Sequence, residues 1–188
     1  RGRLFNHIEK DEGQYDDEVE IFWASGACLA IRKGVFKKVD GFDELYFAHQ
    51  EEIDLCWRVN NLGYKIMVQP TSKVYHLGGG TLNEQHPKKA FYNFRNSLFN
   101  LLKNAPQSHF KQRIFMRMLF DGLAFLQYAL FLKWHHASMI FRAHIDFYKF
   151  YYDVHDKRVK NHGTAYFKAR NIVMQYFLLQ RKTFSKIN

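Results

Sequence analysis

The hydrophobic pattern changes period at the triple glycine Gly78-Gly79-Gly80, and that change limits the folds open to this chain. Before it, short apolar runs alternate with polar breaks. Ile21-Phe22-Trp23-Ala24 and Ala27-Cys28-Leu29-Ala30-Ile31 read as strands around a Ser25-Gly26 step. Tyr64 to Val68 reads as a strand that Pro70 ends, and Lys73-Val74-Tyr75-His76 as another. Residues 33–39 suit a short helix or turn. Glu51 to Asn61 suits an amphipathic helix with Ile53, Leu55, Cys56, Val59 and Leu62 on its apolar stripe and Gly63 as its stop. This β-α-β-β order is half of an α/β domain. After the glycines, apolar residues recur at helical spacing over 88–103, 114–133, 136–153 and 164–183. The expected architecture is therefore α/β, with a partial α/β subdomain at 1–87 followed by a mainly helical region at 88–188.

Charge divides at the same place. Residues 1–87 hold 10 Lys+Arg against 14 Asp+Glu, and residues 88–188 hold 18 against 4. A region of net +14 that is also rich in aromatic residues suits an anionic lipid surface, nucleic acid or a phosphorylated substrate. The stretch from Ile114 to Leu132 is long enough to raise the question of a membrane span. Arg117, Asp121 and Gln127 interrupt it, and a charge at mid-helix costs about 2.5–3.5 kcal/mol on insertion. An interfacial helix flanked by Lys111, Arg113, Lys133 and His135 fits better.

Cys28 and Cys56 are too few for a disulfide scaffold, and each sits in an apolar run, as a buried free thiol would. A reducing cytoplasm fits. The chain opens on Arg1 with neither an initiator Met nor a signal peptide, so we expect a piece of a longer protein.

The chemistry concentrates at residues 46–81. Glu51, Glu52 and Asp54 gather at the start of the Glu51–Asn61 helix. Three acids there complement the helix dipole. They also suit a general base, because a carboxylate among like charges has a raised pKa and can take a hydroxyl proton. His76 follows at a strand end beside Gly78, Gly79 and Gly80. A histidine in such a place is often structural, but glycine-opened backbone lets a ligand come close and its amides can cradle an anion. Ser25-Gly26 reads as a β-bulge or as a sugar- or phosphate-facing wall with Trp23 as a stacking platform. Arg95-Asn96 lies on a basic helix that either reaches a diphosphate or is simply solvated. No Cys/His pair has zinc spacing, no glycine pattern for nucleotide phosphates is present, and neither Ser25 nor Cys56 has the signature of a catalytic nucleophile.

Taken in order, Ser25 to Arg32, Gly41-Phe42-Asp43-Glu44, Glu51-Glu52-Ile53-Asp54-Leu55-Cys56-Trp57-Arg58, Gly63-Tyr64 and Val74 to Thr81 resemble the C-terminal half of family 2 glycosyltransferases. The likeness is to the bacterial rhamnosyltransferase-like group with the GT-A fold, and it covers about residues 20–100. It implies a partial GT-A-type acceptor-side subdomain at 1–87. It implies inverting, metal-dependent transfer from a nucleotide-sugar donor to a saccharide or lipid-linked acceptor in cell-surface polysaccharide or glycolipid synthesis. The general base falls on Glu52, with Glu51 beside it. This chain has Glu-Glu where the family has Glu-Asp, which leaves the choice between the two open. His76 matches a histidine that in some relatives helps hold Mg²⁺ or Mn²⁺. Trp23, Ser25, Gly26, Asp54, Gly78, Gly79 and Arg95 are the implied substrate contacts. The family's nucleotide-binding half and its Asp-x-Asp metal motif have no counterpart here, since Asp16-Asp17-Glu18 lacks a preceding apolar strand. We therefore expect this chain alone neither to bind donor nor to turn over. Its expected location is the cytoplasm, against the inner face of the cell membrane.

Two other functions compete. A non-enzymatic basic helical module would bind nucleic acid or anionic membrane, though the aromatics recur at the spacing of a core and no glycine-rich RNA-binding signature is present. A sugar-binding or scaffolding domain descended from a transferase is the third.

Overall fold

The computed structural model describes residues 3–4, 7–76, 86–158, 172–183 and 186–187. The chain forms two compact units. The first takes residues 1–20, 67–73 and 164–188, and the second takes 21–66 and 74–163. The expected division at residue 87 runs through the second unit, because the helix carrying the acids and the basic helices pack into one body.

In the first unit, β1 (Arg3–Leu4) and β2 (His7–Ile8) pair antiparallel, with Arg3 opposite Ile8 and Leu4 opposite His7. The Val68 amide donates to Val19 O at 3.0 Å, and Gln69 Nε2 donates to Glu18 Oε1 at 2.6 Å. Two further two-residue strands, β3 (Glu20–Ile21) and β4 (Ile66–Met67), stand where the chain passes between units.

The second unit is helical. It contains α1 (Lys33–Lys38), a 3₁₀ turn at Glu44–Tyr46, and α2 (Glu51–Asn61). The longer helices follow as α3 (Pro87–Asn104), α4 (Phe110–Leu130), α5 (Trp134–Lys149) and α6 (Tyr151–Asp156). A short α7 (Ile172–Phe177) belongs to the first unit. Local chemistry sets the boundaries of α3. His86 caps its start by accepting from the Lys88 amide, and Pro87 at the first position loses no hydrogen bond there. Pro106 follows closely on its end.

Two apolar clusters hold this unit together. Leu55 and Val59 of α2 meet Val39, with Leu29, Ile31, Val35, Phe36, Tyr64 and Ile66 around them. Across the other side of α3, Leu98, Phe99 and Leu102 are fully buried, as are Ala143 of α5 and Tyr46. Phe99 meets Tyr46 edge-on at 5.9 Å and Phe147 at 6.1 Å. Burying one such side chain contributes about 1.5–3 kcal/mol.

The helices expected over 51–61 and 88–103 form with nearly those bounds. That over 114–133 is shifted to Phe110–Leu130, and that over 136–153 is divided at Phe150 into α5 and α6. The expected strands shrink to β3 and β4, and none forms at 73–76. The run Ala27–Ile31 forms no strand. Ser25 to Cys28 closes a turn instead, with the Cys28 amide donating to Ser25 O at 3.1 Å. Leu29 and Ile31 reach the core from irregular backbone. Cys28 is exposed, whereas Cys56 is buried as expected. The expected helix over 164–183 lies partly outside the described residues, and its described part holds α7.

Candidate functional site

The acids at the head of α2 are placed by an unusual bend. Phe47, His49 and Gln50 all have positive φ, at 58°, 66° and 70°. None is glycine, and a non-glycine residue held at such a φ costs of order 1–3 kcal/mol unless its surroundings fix it. Gln50 is also the N-cap of α2, with no side-chain capping bond. The first-turn acids Glu51, Glu52 and Asp54 instead offset the exposed amides and the positive helix end.

The polar face of α3 fixes this bend. Asn96 Nδ2 lies 3.1 Å from Tyr46 O, 2.9 Å from Ala48 O and 2.6 Å from His49 O. Arg95 donates to Leu45 O at 2.8 Å and to Tyr46 O at 3.2 Å, and pairs with Asp146 at 2.8 Å. Gln50 Nε2 donates to Asn93 O at 3.0 Å and to Ser97 Oγ at 2.9 Å, and Gln50 Oε1 accepts from Asn100 Nδ2 at 3.2 Å. The loop carbonyls that the bend would leave bare are thus paired from a helix some 45 residues later, as buried polar groups must be.

Beneath the bend lies a charged cluster. Asp54 is fully buried and accepts from Arg58 Nε at 2.8 Å, Lys103 Nζ at 3.0 Å and Asn104 Nδ2 at 2.8 Å. Lys103 also pairs with Asp43 at 2.7 Å, and Lys157 reaches the other Asp43 oxygen at 2.9 Å. Arg58 continues to the carbonyls of Val39 and Gly41. Burial acts to raise Asp43, but hydrogen bonds from Lys103 and Lys157, together with the Lys103 charge, hold it down at about 2. Paired this way, the charges are tolerated inside; losing one partner would strand another.

Glu51 and Glu52 face a cleft of about 320 Å³ lined by Gly26, Phe42, Asp43, Glu44, Phe47, Glu51 and Glu52. A larger one of about 790 Å³ shares Phe42, Asp43 and Glu44 and adds Lys38, Arg58, Lys103 and Lys157. Among the described residues, Glu51 Oε2, Glu52 Oε2 and His49 Nε2 are buried polar atoms with no hydrogen-bond partner. Burial raises the Glu52 pKa above that of an ordinary glutamate, and the neighbouring Glu51 charge adds to this, while the amides of Glu52 and Gln50 pull it back. Burial lowers the His49 pKa, as does Lys89, against the attraction of Glu51. A half-buried carboxylate with an unpartnered oxygen at a cleft can accept a proton from a hydroxyl delivered there.

The expected site residues separate into groups. Glu51, Glu52 and Gly26 share the cleft. Ser25 is exposed in the adjoining turn, and Trp23 is exposed on the same segment. Asp54 and Arg95, expected against substrate, point inward instead. The Asp54 carboxylate is shared by two cations, and the Arg95 guanidinium is engaged by carbonyls and Asp146. His76 is exposed and does not line either cleft. Gly78 and Gly79 lie outside the described residues. Among the described residues, no three His, Cys, Asp or Glu side chains converge to hold a metal ion, so these side chains do not by themselves fit a Mg²⁺ or Mn²⁺ site.

Two participants, His49 and Gln50, were missed from sequence, and Asn96, expected with Arg95 to reach a diphosphate or to be solvated, is buried and braces the loop carbonyls instead. A signal for the last existed. Asn93, Asn96, Asn100 and Asn104 recur at three- and four-residue spacing, a polar stripe on a helix whose other residues are largely apolar.

Comparison with known proteins relates the chain to glycosyltransferases. It is 39% identical over 59 residues to N-acetylglucosaminyl-diphospho-decaprenol L-rhamnosyltransferase of Mycobacterium tuberculosis, covering 31% of this chain and 19% of that protein. It is 31% identical over 81 residues to the rhamnosyltransferase WbbL of Escherichia coli, covering 43% of this chain and 28% of that one. It is 30% identical over 90 residues to the pre-mycofactocin glycosyltransferase of M. tuberculosis, covering 46% of this chain and 19% of the relative. The chain thus spans between a fifth and about three-tenths of the length of these relatives. No protein-family profile and no solved structure matches it.

Proposed function

We propose that this chain supplies the acceptor-side, base-bearing part of an inverting glycosyltransferase of the family 2, GT-A type. Its substrates would be a nucleotide-sugar donor and a saccharide or lipid-linked acceptor in cell-surface glycan synthesis. The observation that carries this reading is Glu52, a half-buried carboxylate of raised pKa with an unpartnered oxygen, aimed at a cleft by a strained and braced bend. The sequence likeness to rhamnosyltransferases supports the class of reaction.

In this scheme the acceptor hydroxyl lies in the cleft against the Glu52 carboxylate. As its oxygen bonds to the anomeric carbon, its proton passes to the Glu52 carboxylate, and the bond from that carbon to the nucleoside diphosphate breaks with the electron pair leaving on the diphosphate. Glu51 acts on Glu52 as a like charge that strengthens it as a base. Asp54, Arg58 and Lys103 hold the helix that presents both. A divalent cation belongs to this proposal only with ligands from outside the described residues, and no step is assigned to it.

The test is transfer by the complete protein that carries this chain. Glu52→Gln should lower kcat about 10²–10⁴-fold, the usual contribution of a positioned base, with little change in KM. Glu51→Gln should cost less. Wild-type turnover in the Glu52→Gln protein would remove Glu52 from this role.

A further inference from the structure

Helix α4 is built inside out. Its outward face carries Phe115, Leu119, Leu123, Leu126 and Leu130, all exposed and spaced three or four apart in one stripe, with Met116 exposed beside them. The inward face buries Phe110 and Ile114, but also Asp121, which Arg117 pairs at 2.7 Å and His144 meets at 3.1 Å. A helix packed only against its own protein would put the acid outside and the leucines inside. Apolar exposure continues through the turn, where Phe131 and Leu132 are 69% and 77% exposed, to Trp134 at the head of α5, which is 61% exposed. On α5, Phe141, Ile145 and Tyr148 are also exposed and share one helix face with Trp134.

Charge says what this surface meets. Residues 110–149 contain six Lys+Arg and two acids, Asp121 and Asp146. Both acids are ion-paired, Asp121 with Arg117 and Asp146 with Arg95. The exposed ions of the hairpin are therefore cations: Lys111, Lys133, Arg142 and Lys149. An apolar stripe rimmed by cations, with a Trp and a Tyr along it, matches an acyl–headgroup boundary carrying negative charge. A second copy would bring two positive rims together. Single-stranded nucleic acid would want ring faces for stacking, and the α4 stripe is mainly aliphatic. No described helix is long and apolar enough to cross a membrane, so the hairpin would lie in the surface.

We infer that the α4–α5 hairpin docks this protein on an anionic lipid bilayer, burying its outward apolar stripe between headgroups that its cationic rim attracts. The inference stands apart from the transfer reading, because it uses neither Glu52 nor the cleft.

Flotation of the 188-residue chain with vesicles tests it. The chain should float with vesicles of phosphatidylcholine plus phosphatidylglycerol and far less with phosphatidylcholine alone. Leu119→Gln/Leu126→Gln should cut the bound fraction about tenfold by removing apolar contact. The rim pair Lys133→Glu/Lys149→Glu, which leaves the stripe intact, should weaken binding to the charged vesicles specifically. Trp134 emission should shift to the blue on binding, and Trp134→Phe should remove that shift. Failure to float with either vesicle would overturn the inference. So would flotation that both variant pairs leave unchanged, a solution dimer that Leu119→Gln/Leu126→Gln dissolves, or retention on single-stranded oligonucleotide that displaces the vesicles.

Discussion

Glu52 and Asp43 lie on opposite sides of one problem, a carboxylate taken partly out of water. Glu52 has burial and a like charge against it, so its pKa rises; Asp43 has two lysines, so its pKa falls. Glu51→Gln should therefore lower the Glu52 pKa, but only part of the way, since burial is the larger cause. Side-chain carbon shifts followed by NMR across a pH series would read this, and an unmoved titration would count against the pairing. For Asp43 the folded value of about 2 lies below the ordinary 3.8. Its contribution to stability is present above pH 3.8 and drains away as pH falls toward 2. Urea unfolding between those limits should show that loss, and Asp43→Asn should flatten it. Lys103→Met should cost about 3–5 kcal/mol, because Asp43 and Asp54 would then share too little positive charge. The acids at 51–54 were legible in sequence as a cluster, but their division of labour was not. Asp54 turns into the protein and Glu52 into the cleft because a helix rotates neighbours by about 100°, and the pattern of acids alone does not say which side faces the core.

At the level of elements, helices were readable and strands were not. The period of apolar residues gave α2 its observed bounds and α3 to within a residue at each end. The run Ala27–Ile31 has the composition of a strand, yet the Ser25 turn before it and the core cluster beneath it take its side chains without a ladder. Neither the left-handed bend at 47–50 nor its brace could be foreseen from local pattern, since no glycine marks it. That bend makes α3 responsible for the aim of α2. Asn96→Ala leaves buried loop carbonyls bare and should destabilise by about 1–3 kcal/mol. It should also let the Glu52 pKa drift toward the ordinary glutamate value as the bend relaxes. Phe99→Ala should cost about 3–5 kcal/mol by emptying the contact with Tyr46 and Phe147, without a comparable change at Glu52. Denaturation of both variants, read beside the Glu52 titration, separates bracing from packing.

At the level of the molecule, the contrast between an acidic front and a basic back was plain from composition, but the boundary drawn from it was not the physical one. Residues 21–66 and 88–158 form one body because Asp43 and Asp54 of the first stretch need Lys103 and Lys157 of the second. Binding to anionic vesicles should weaken as salt rises yet persist near 1 M, where screening acts within about 3 Å, because the α4 stripe contributes without charge. Complete release at that salt would point to charge alone. The braced bend has one more effect, on the order of events as the chain is made. Gln50 and its carbonyl neighbours find these partners on α3, at Asn93, Arg95, Asn96, Ser97 and Asn100. A nascent chain that has emerged only as far as α2 holds the two glutamates on a helix whose entrance is still slack. They gain their final direction at the moment a segment some fifty residues younger docks behind them.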